Sequence, residues 1–332
     1  MYELYFNILL IAVGIFALIK SGAYVVKALI NIAHFLKISE FTLSFILMAA
    51  ATSLPELGIG LNAAFNNTPL ISLGNILGAN ILVLSLILGA MILIEGNLTL
   101  KKHSPAHSSW FNFFLAISPV ILLIDGDLSR FDGLILIALF VLNLGRLLKF
   151  REIFNHHRVK HFLNGDEHRL ADLNTSFFLK NLFIFILAIG VLLLSSYLIV
   201  KGVEIFSLKL GIPEILIGIF IVALSTTLPE LSFGIKAILS RRNEMSLGNL
   251  LGTVVFNSTL ILGIVSLISP IRIENGVSFW VSAGVMILII FLANLFLKTR
   301  DSLNRLEGLL LILIYFVFAI ISYVLALPKI PV

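Results

Sequence analysis

Two short stretches set hydroxyls, a proline and a carboxylic acid side by side inside apolar sequence: Thr52-Ser53-Leu54-Pro55-Glu56 and Thr226-Thr227-Leu228-Pro229-Glu230. On insertion scales a charged side chain at the bilayer centre costs about 2.5–3.5 kcal/mol, and a proline inside a helix costs about 3 kcal/mol. Two copies of that combination demand a chemical reason. Proline has no N–H for the carbonyl four residues back, so Pro55 frees the Ala51 carbonyl and Pro229 that of Ser225. Each break therefore offers a free carbonyl, two hydroxyls (Thr52 and Ser53, or Thr226 and Thr227) and a carboxylate. All of these are oxygens. Hard cations such as Na⁺ and Ca²⁺ take oxygen ligands, Ca²⁺ about 6–8 of them. If Glu56 and Glu230 meet, they form a doubly negative site that one Ca²⁺, two Na⁺ or two protons would neutralise.

A second pair of stretches, Gly74–Val83 (GNILGANILV) and Gly248–Asn257 (GNLLGTVVFN), spaces glycines four apart, which lets helices approach closely. Asn75, Asn80, Asn249, Thr253 and Asn257 add oxygens that could complete a cage. Competing roles exist. The hydroxyls can bond back to helix carbonyls, and Asn75 and Asn249 suit interhelical hydrogen bonds better than ligation.

The elements that must position these residues are membrane helices. The 332 residues are 59% hydrophobic and 12% charged, with mean hydropathy +1.08; soluble chains carry about 25% charged residues. The apolar runs are continuous and long enough to span as helices, without the alternation of a membrane barrel. The expected fold is an all-α integral membrane protein of ten helices near 5–33, 40–66, 70–94, 108–124, 131–148, 179–206, 212–240, 246–268, 278–297 and 306–326. The first run lacks a basic leader and a small-residue cleavage site, so it is expected to be a retained helix.

The polar stretch 149–178 divides the chain into five-helix halves, 1–148 and 179–332. The halves match at a constant offset: LKISE with LGIPE, TSLPEL with TTLPEL, SLGNILG with SLGNLLG, and 210 − 36 = 226 − 52 = 246 − 72 = 174. An odd number of helices per repeat implies two inverted repeats, an arrangement used by secondary transporters with a midplane site on broken helices. Sorting loops by parity puts Lys37, Lys101, Lys102, Lys149, Arg151, Arg158, Lys160, Arg169, Lys180, Arg241, Arg242, Lys298, Arg300 and Arg305 on one face, and only Arg130, Lys209, Arg272 and Lys329 on the other. The positive-inside rule then places both termini outside and the 149–178 loop in the cytoplasm of a cell-membrane protein.

The remaining signals are weaker. His156, His157, His161 and His168 fit a solvated basic loop rather than a metal centre. Asp125-Gly126-Asp127 reads as an exterior turn, and Lys27 and Lys201, an equivalent pair, as snorkelling cations. The absence of cysteine excludes disulfides and thiolate sites. No G-x-x-x-x-G-K-[ST] loop supports ATP coupling. An intramembrane hydrolase using Ser53 or Thr52 has no base placed to activate it, so no enzyme and no cofactor is expected, and an uncoupled channel is the remaining rival. The expected partners are the lipid bilayer and inorganic cations, with no nucleic acid and no obligatory protein partner.

On these motifs the chain resembles the Ca²⁺/cation antiporter superfamily, most closely its prokaryotic sodium/calcium exchanger branch. That family carries two inverted repeats, each with G-T-S-L-P-E followed by G-N-x-x-G-S-N-I-x-N/D. The resemblance implies that Thr52, Ser53, Glu56, Thr226, Thr227 and Glu230 coordinate transported Ca²⁺ and Na⁺, together with the backbone carbonyls of Ala49 and Ala223, by alternating access. The chain departs from the family pattern at Ala51 and Ser225, where the leading glycines stand, and at Ala79 and Val83. Thr253 and Asn257 keep their oxygens in the second repeat. Fewer side-chain oxygens in the first repeat imply fewer or weaker Na⁺ sites, and leave Ca²⁺/H⁺ exchange on the same two glutamates as the alternative.

Overall fold

Pro55 and Pro229 dictate the central irregularity of the chain. A computed structural model describes residues 2–35, 48–99, 109–154, 175–239, 243–273, 276–300 and 302–326, and nearly all of them are helical. Helix α1 (Tyr2–Phe35) is followed by α2 (Met48–Thr52) and α3 (Leu54–Phe65), which are separated at Ser53. Pro55 falls in the first turn of α3, where a missing N–H costs no intrahelical bond. Helix α4 (Pro69–Leu82) continues through a π turn, Val83–Ile87, into α5 (Leu88–Glu95). Helices α6 (Ser109–Leu122) and α7 (Arg130–Phe154) close the first half.

The second half repeats this order. Helix α8 (Thr175–Leu210) precedes α9 (Glu214–Ile217), a π turn (Gly218–Val222) and α10 (Ala223–Thr226), and the chain breaks at Thr227 before α11 (Leu228–Leu239). Helix α12 (Asn243–Val255) runs through a third π turn, Phe256–Ile261, into α13 (Leu262–Ile268); α14 (Val277–Arg300) and α15 (Arg305–Ala326) complete the chain.

Among the described residues, seven helical stretches are long and apolar enough to cross a membrane: Ile8–Leu29, Pro69–Glu95, Thr175–Lys209, Glu214–Leu239, Ser246–Ile268, Val277–Phe296 and Arg305–Leu325. The expected helices near 108–124 and 131–148 form as α6 and α7, outside that set. The start of the expected 40–66 helix, the Leu36–Glu40 copy of the repeat, and residues 155–174 with their four histidines lie outside the described residues.

The 174-residue spacing reappears in contacts. Strand β1 (Asn97–Thr99) pairs antiparallel with β4 (Ser302–Asn304), and β2 (Asp127–Leu128) with β3 (Ile271–Arg272). Since 271 − 97 = 174 and 302 − 127 = 175, each ribbon joins the counterparts of the other's strands. The starts of α7 and α15 are capped alike: Ser129 N–H donates to Asp132 Oδ2 at 2.9 Å and Asn304 N–H to Glu307 Oε2 at 2.8 Å. A Cβ on Gly133 would meet the Gly263 carbonyl, and one on Gly308 the Gly89 carbonyl, so α7 crosses α13 as α15 crosses α5.

Helix α1 packs along α8, and both touch the broken segments. Between the breaks, α4 meets α9 and the π turn Gly218–Val222 so closely that a Cβ on Gly74 would collide with the carbonyl of Ile215 and one on Gly78 with that of Ile219. Backbone contact of this kind is what small residues permit between membrane helices. At the periphery, Asp125-Gly126-Asp127 is a turn with Gly126 at φ 87°, followed by Asp127 facing Arg272 at 3.5 Å. Lys27 is exposed, whereas Lys201 pairs with Glu204 at 2.9 Å.

A candidate cation site between the two helix breaks

The two breaks are built alike. Ser53 has φ −83° and ψ 4°, and Thr227 has φ −81° and ψ −1°, in the sparsely populated bridge between helix and strand. The backbone bonds around them match as well: Ser53 N–H to the Ala49 carbonyl (3.1 Å) and Leu57 N–H to Ser53 (3.0 Å), against Thr227 N–H to Ala223 (3.0 Å) and Leu231 N–H to Thr227 (3.0 Å). Glu56 and Glu230 thus fall in the first turns of α3 and α11, where the helix N-terminus carries partial positive charge.

Both glutamates are fully buried, at 0% exposure. Glu230 stands within electrostatic reach of Glu56, and the hydroxyl of Thr226 lies beside Glu56 as that of Thr52 lies beside Glu230. Among the described residues none of the four carboxylate oxygens has a hydrogen-bond partner of good geometry. Ser53 Oγ, Asn75 Nδ2, both amide atoms of Asn249 and Asn257 Oδ1 are buried and unpartnered too. A buried polar group without a partner costs about 1–3 kcal/mol, and a charged one more. The oxygens of that set, Ser53 Oγ, Asn249 Oδ1, Asn257 Oδ1 and the four of the carboxylates, are ligands of the type a hard cation takes.

The candidate ligands divide by their hydrogen bonds. Thr52 Oγ1 approaches Thr253 Oγ1 at 3.5 Å and the Ala49 carbonyl at 3.4 Å. Thr226 donates to Asn75 Oδ1 at 3.1 Å and approaches the Ala223 carbonyl at 3.2 Å. Thr227 bonds back to the Ala223 carbonyl at 2.9 Å, while its counterpart Ser53 makes no such bond. The Ala223 carbonyl is therefore more heavily engaged than that of Ala49. Thr253 and Asn257 are both fully buried, and Asn257 Nδ2 donates to Asn80 Oδ1 at 3.4 Å. Asn75 does make the interhelical bond expected of it, whereas Asn249 makes none.

Two contributors escaped the reading of the motifs. Gly22 of α1 sits between the breaks, so a Cβ there would lie 3.4 Å from Cγ of both Pro55 and Pro229. Its counterpart at the 174 offset is Ser196, whose Oγ a Cβ on Gly58 would meet at 2.6 Å. The paired small residues Ser21-Gly22 and Ser195-Ser196 were the available signal. Ser258, which receives a hydrogen bond from Asn80, had no signal, because nothing equivalent to it is polar in the first half.

Known proteins share this plan. A sequence profile of the family described as sodium/calcium exchanger protein matches residues 6–149 and 180–324. Sodium/calcium exchanger MaX1 of Methanosarcina acetivorans is 27% identical, over 96% of this chain and 98% of its own length. The solved sodium-calcium exchanger NCX_Mj superposes with a TM-score of 0.64 at 25% identity, covering 96% of this chain and 99% of that one. The H⁺/Ca²⁺ exchanger CAX superposes with a TM-score of 0.76 at 17% identity, covering 97% of this chain and 87% of that one, a likeness of fold.

Proposed function

The chain belongs to the sodium/calcium exchanger family, and from that membership we propose that it is a secondary-active antiporter exchanging Ca²⁺ for Na⁺ by alternating access. One observation carries the reading. Two fully buried glutamates from equivalent helix breaks, each beside a threonine hydroxyl of the other break, have no hydrogen-bond partner for any carboxylate oxygen among the described residues.

The physics of such a pair gives the coupling. With both carboxylates ionised and no cation bound, two like charges share a low-dielectric interior, and occluding them from water is prohibitively costly. A bound Ca²⁺, or Na⁺ ions in its place, cancels the charge and lets the site pass through an occluded state. The empty site cannot return, so movement of one ion requires counter-movement of another. Glu56 and Glu230 hold both ions in turn; Thr52, Ser53, Thr226, Thr227, Thr253, Asn257 and the carbonyls of Ala49 and Ala223 supply further oxygens. Helices α1 and α8, which pack along each other against the breaks, are the elements proposed to move as one body.

The reading includes ten crossings in two inverted repeats, with both termini outside and the 149–178 loop cytoplasmic. The two strand ribbons, the matched caps and the reciprocal glycine crossings support it, because a two-fold axis in the membrane plane would relate each to the other.

Ca²⁺/H⁺ exchange is the second reading. It is favoured by Ala79 and Val83, which are fully buried and carry no oxygen where the family motif has one. Reconstitution into proteoliposomes decides between them. Ca²⁺ uptake driven by an outward Na⁺ gradient supports the first reading. Uptake that ignores Na⁺ and follows a pH gradient supports the second, and no Ca²⁺ movement under either gradient overturns both.

A further inference from the structure

We propose that Asn80 is a positioning residue that orients the Asn257 amide and so builds a single Na⁺ subsite on the second-repeat side of the site. The inference rests on the antiporter reading and deepens it. Asn80 Nδ2 donates to Ser258 Oγ at 2.9 Å and approaches Met286 Sδ at 3.8 Å, which commits its nitrogen to two acceptors. Its oxygen is then left to accept from Asn257 Nδ2, at 3.4 Å. An amide held through its nitrogen presents its oxygen on the other side. Asn257 Oδ1 is buried and has no partner among the described residues. Asn257 follows Thr253 by four residues, about one helical turn, and Thr253 Oγ1 lies 3.5 Å from Thr52 Oγ1 at the first break, so Asn257 stands on the same side of its helix as that contact.

This network has no mirror image. At the 174 offset Asn257 becomes Val83 and Ser258 becomes Leu84, while Asn80 becomes Val254; all three are buried aliphatics. A subsite of neutral amide and hydroxyl oxygens therefore exists in one copy. It adds no negative charge and accepts no proton in the physiological range, which suits a monovalent hard cation and gives a proton no place to sit.

The test is Na⁺-dependent Ca²⁺ uptake by the full chain in proteoliposomes, read as separate half-saturating concentrations for Na⁺ and Ca²⁺. Asn80→Leu is expected to raise the Na⁺ value about three- to tenfold, the factor corresponding to loss of one buried hydrogen bond to the ligand amide, and to leave the Ca²⁺ value in place. Ser258→Ala, which removes the nearer of the two acceptors of Asn80, should shift Na⁺ in the same direction and serves alone if Asn80→Leu does not fold. Equal shifts for both ions, or no shift for Na⁺, overturn the positioning role. If the unaltered protein shows no Na⁺-dependent uptake, it is the antiporter reading that fails, with the variants unread.

Discussion

Thr52 and Thr253, 201 positions apart in the chain, bring their hydroxyl oxygens to 3.5 Å in a fully buried contact. The equivalent contact in the other half would join Thr226 to Ala79, which has no hydroxyl; Thr226 turns to Asn75 instead. The site is thus richer in oxygen on one side. Ala79→Ser would restore the missing group in a fully buried position. It is expected to lower the half-saturating Na⁺ concentration in Ca²⁺ uptake assays, and Thr253→Val to raise it, while an unchanged Na⁺ dependence in both variants would remove these positions from the site.

Glu56→Gln and Glu230→Gln should each abolish Ca²⁺ transport without unfolding the protein. The amide has nearly the shape of the carboxylate, yet it removes half the charge that draws a divalent ion and spares the cost of burying that charge. Thermal melts in detergent are the check. Ca²⁺ at 100 times its Kd should stabilise the unaltered protein by about 2.7 kcal/mol and neither variant by a comparable amount. Retained transport in either variant contradicts the assignment.

The breaks and the glutamates were legible in the sequence because their causes are local. A proline removes one N–H wherever it stands, and the duplicated TSLPEL and TTLPEL stretches showed that two such events share one register. The fate of the hydroxyls was not legible, since back-bonding and ligation ask for the same residue types. Only packing makes Thr227 bond to Ala223 while Ser53 stays free. The π turns at Val83–Ile87, Gly218–Val222 and Phe256–Ile261 leave no mark in the residues that form them. They follow from how neighbouring helices fit; one begins three residues after Asn80 and another contains Asn257.

Gly22 separates a tolerated from a forbidden substitution. The Cβ of Gly22→Ala would lie at ordinary contact distance, 3.4 Å, from Pro55 and Pro229. Transport should survive that change. Gly22→Leu drives branched carbons between two proline rings and is expected to slow Ca²⁺ flux sharply by separating α1 from the breaks, with Ca²⁺ binding at equilibrium altered less. If flux in Gly22→Leu matches that of Gly22→Ala, α1 does not bear on the moving parts.

Gly78 should be intolerant of any side chain. A Cβ there would overlap the Ile219 carbonyl and lie 2.8 Å from Ala223 Cβ, and backbone cannot rotate away as a side chain can. Overpacking of this kind costs about 1–3 kcal/mol. Gly78→Ala is expected to lower the melting temperature in detergent and to weaken transport, whereas Gly145→Ala, with nothing within 4 Å of the new Cβ, should do neither.

The cysteine-free chain also permits a direct test of the inverted repeats. Glu95 ends α5 just before β1, and Asp125 ends the turn before β2; both are exposed. Because β1 pairs with β4 and β2 with β3, each ribbon must keep its two strands on one side of the membrane. In the proposed arrangement of ten crossings the first ribbon lies on the cytoplasmic side and the second outside. A membrane-impermeant maleimide added to intact cells should therefore label Asp125→Cys and spare Glu95→Cys, and everted vesicles should reverse the pattern. Labelling of both from one side would mean that the helices between them do not cross the bilayer an odd number of times, and the pairing of Glu56 with Glu230 across an inverted axis would lose its basis.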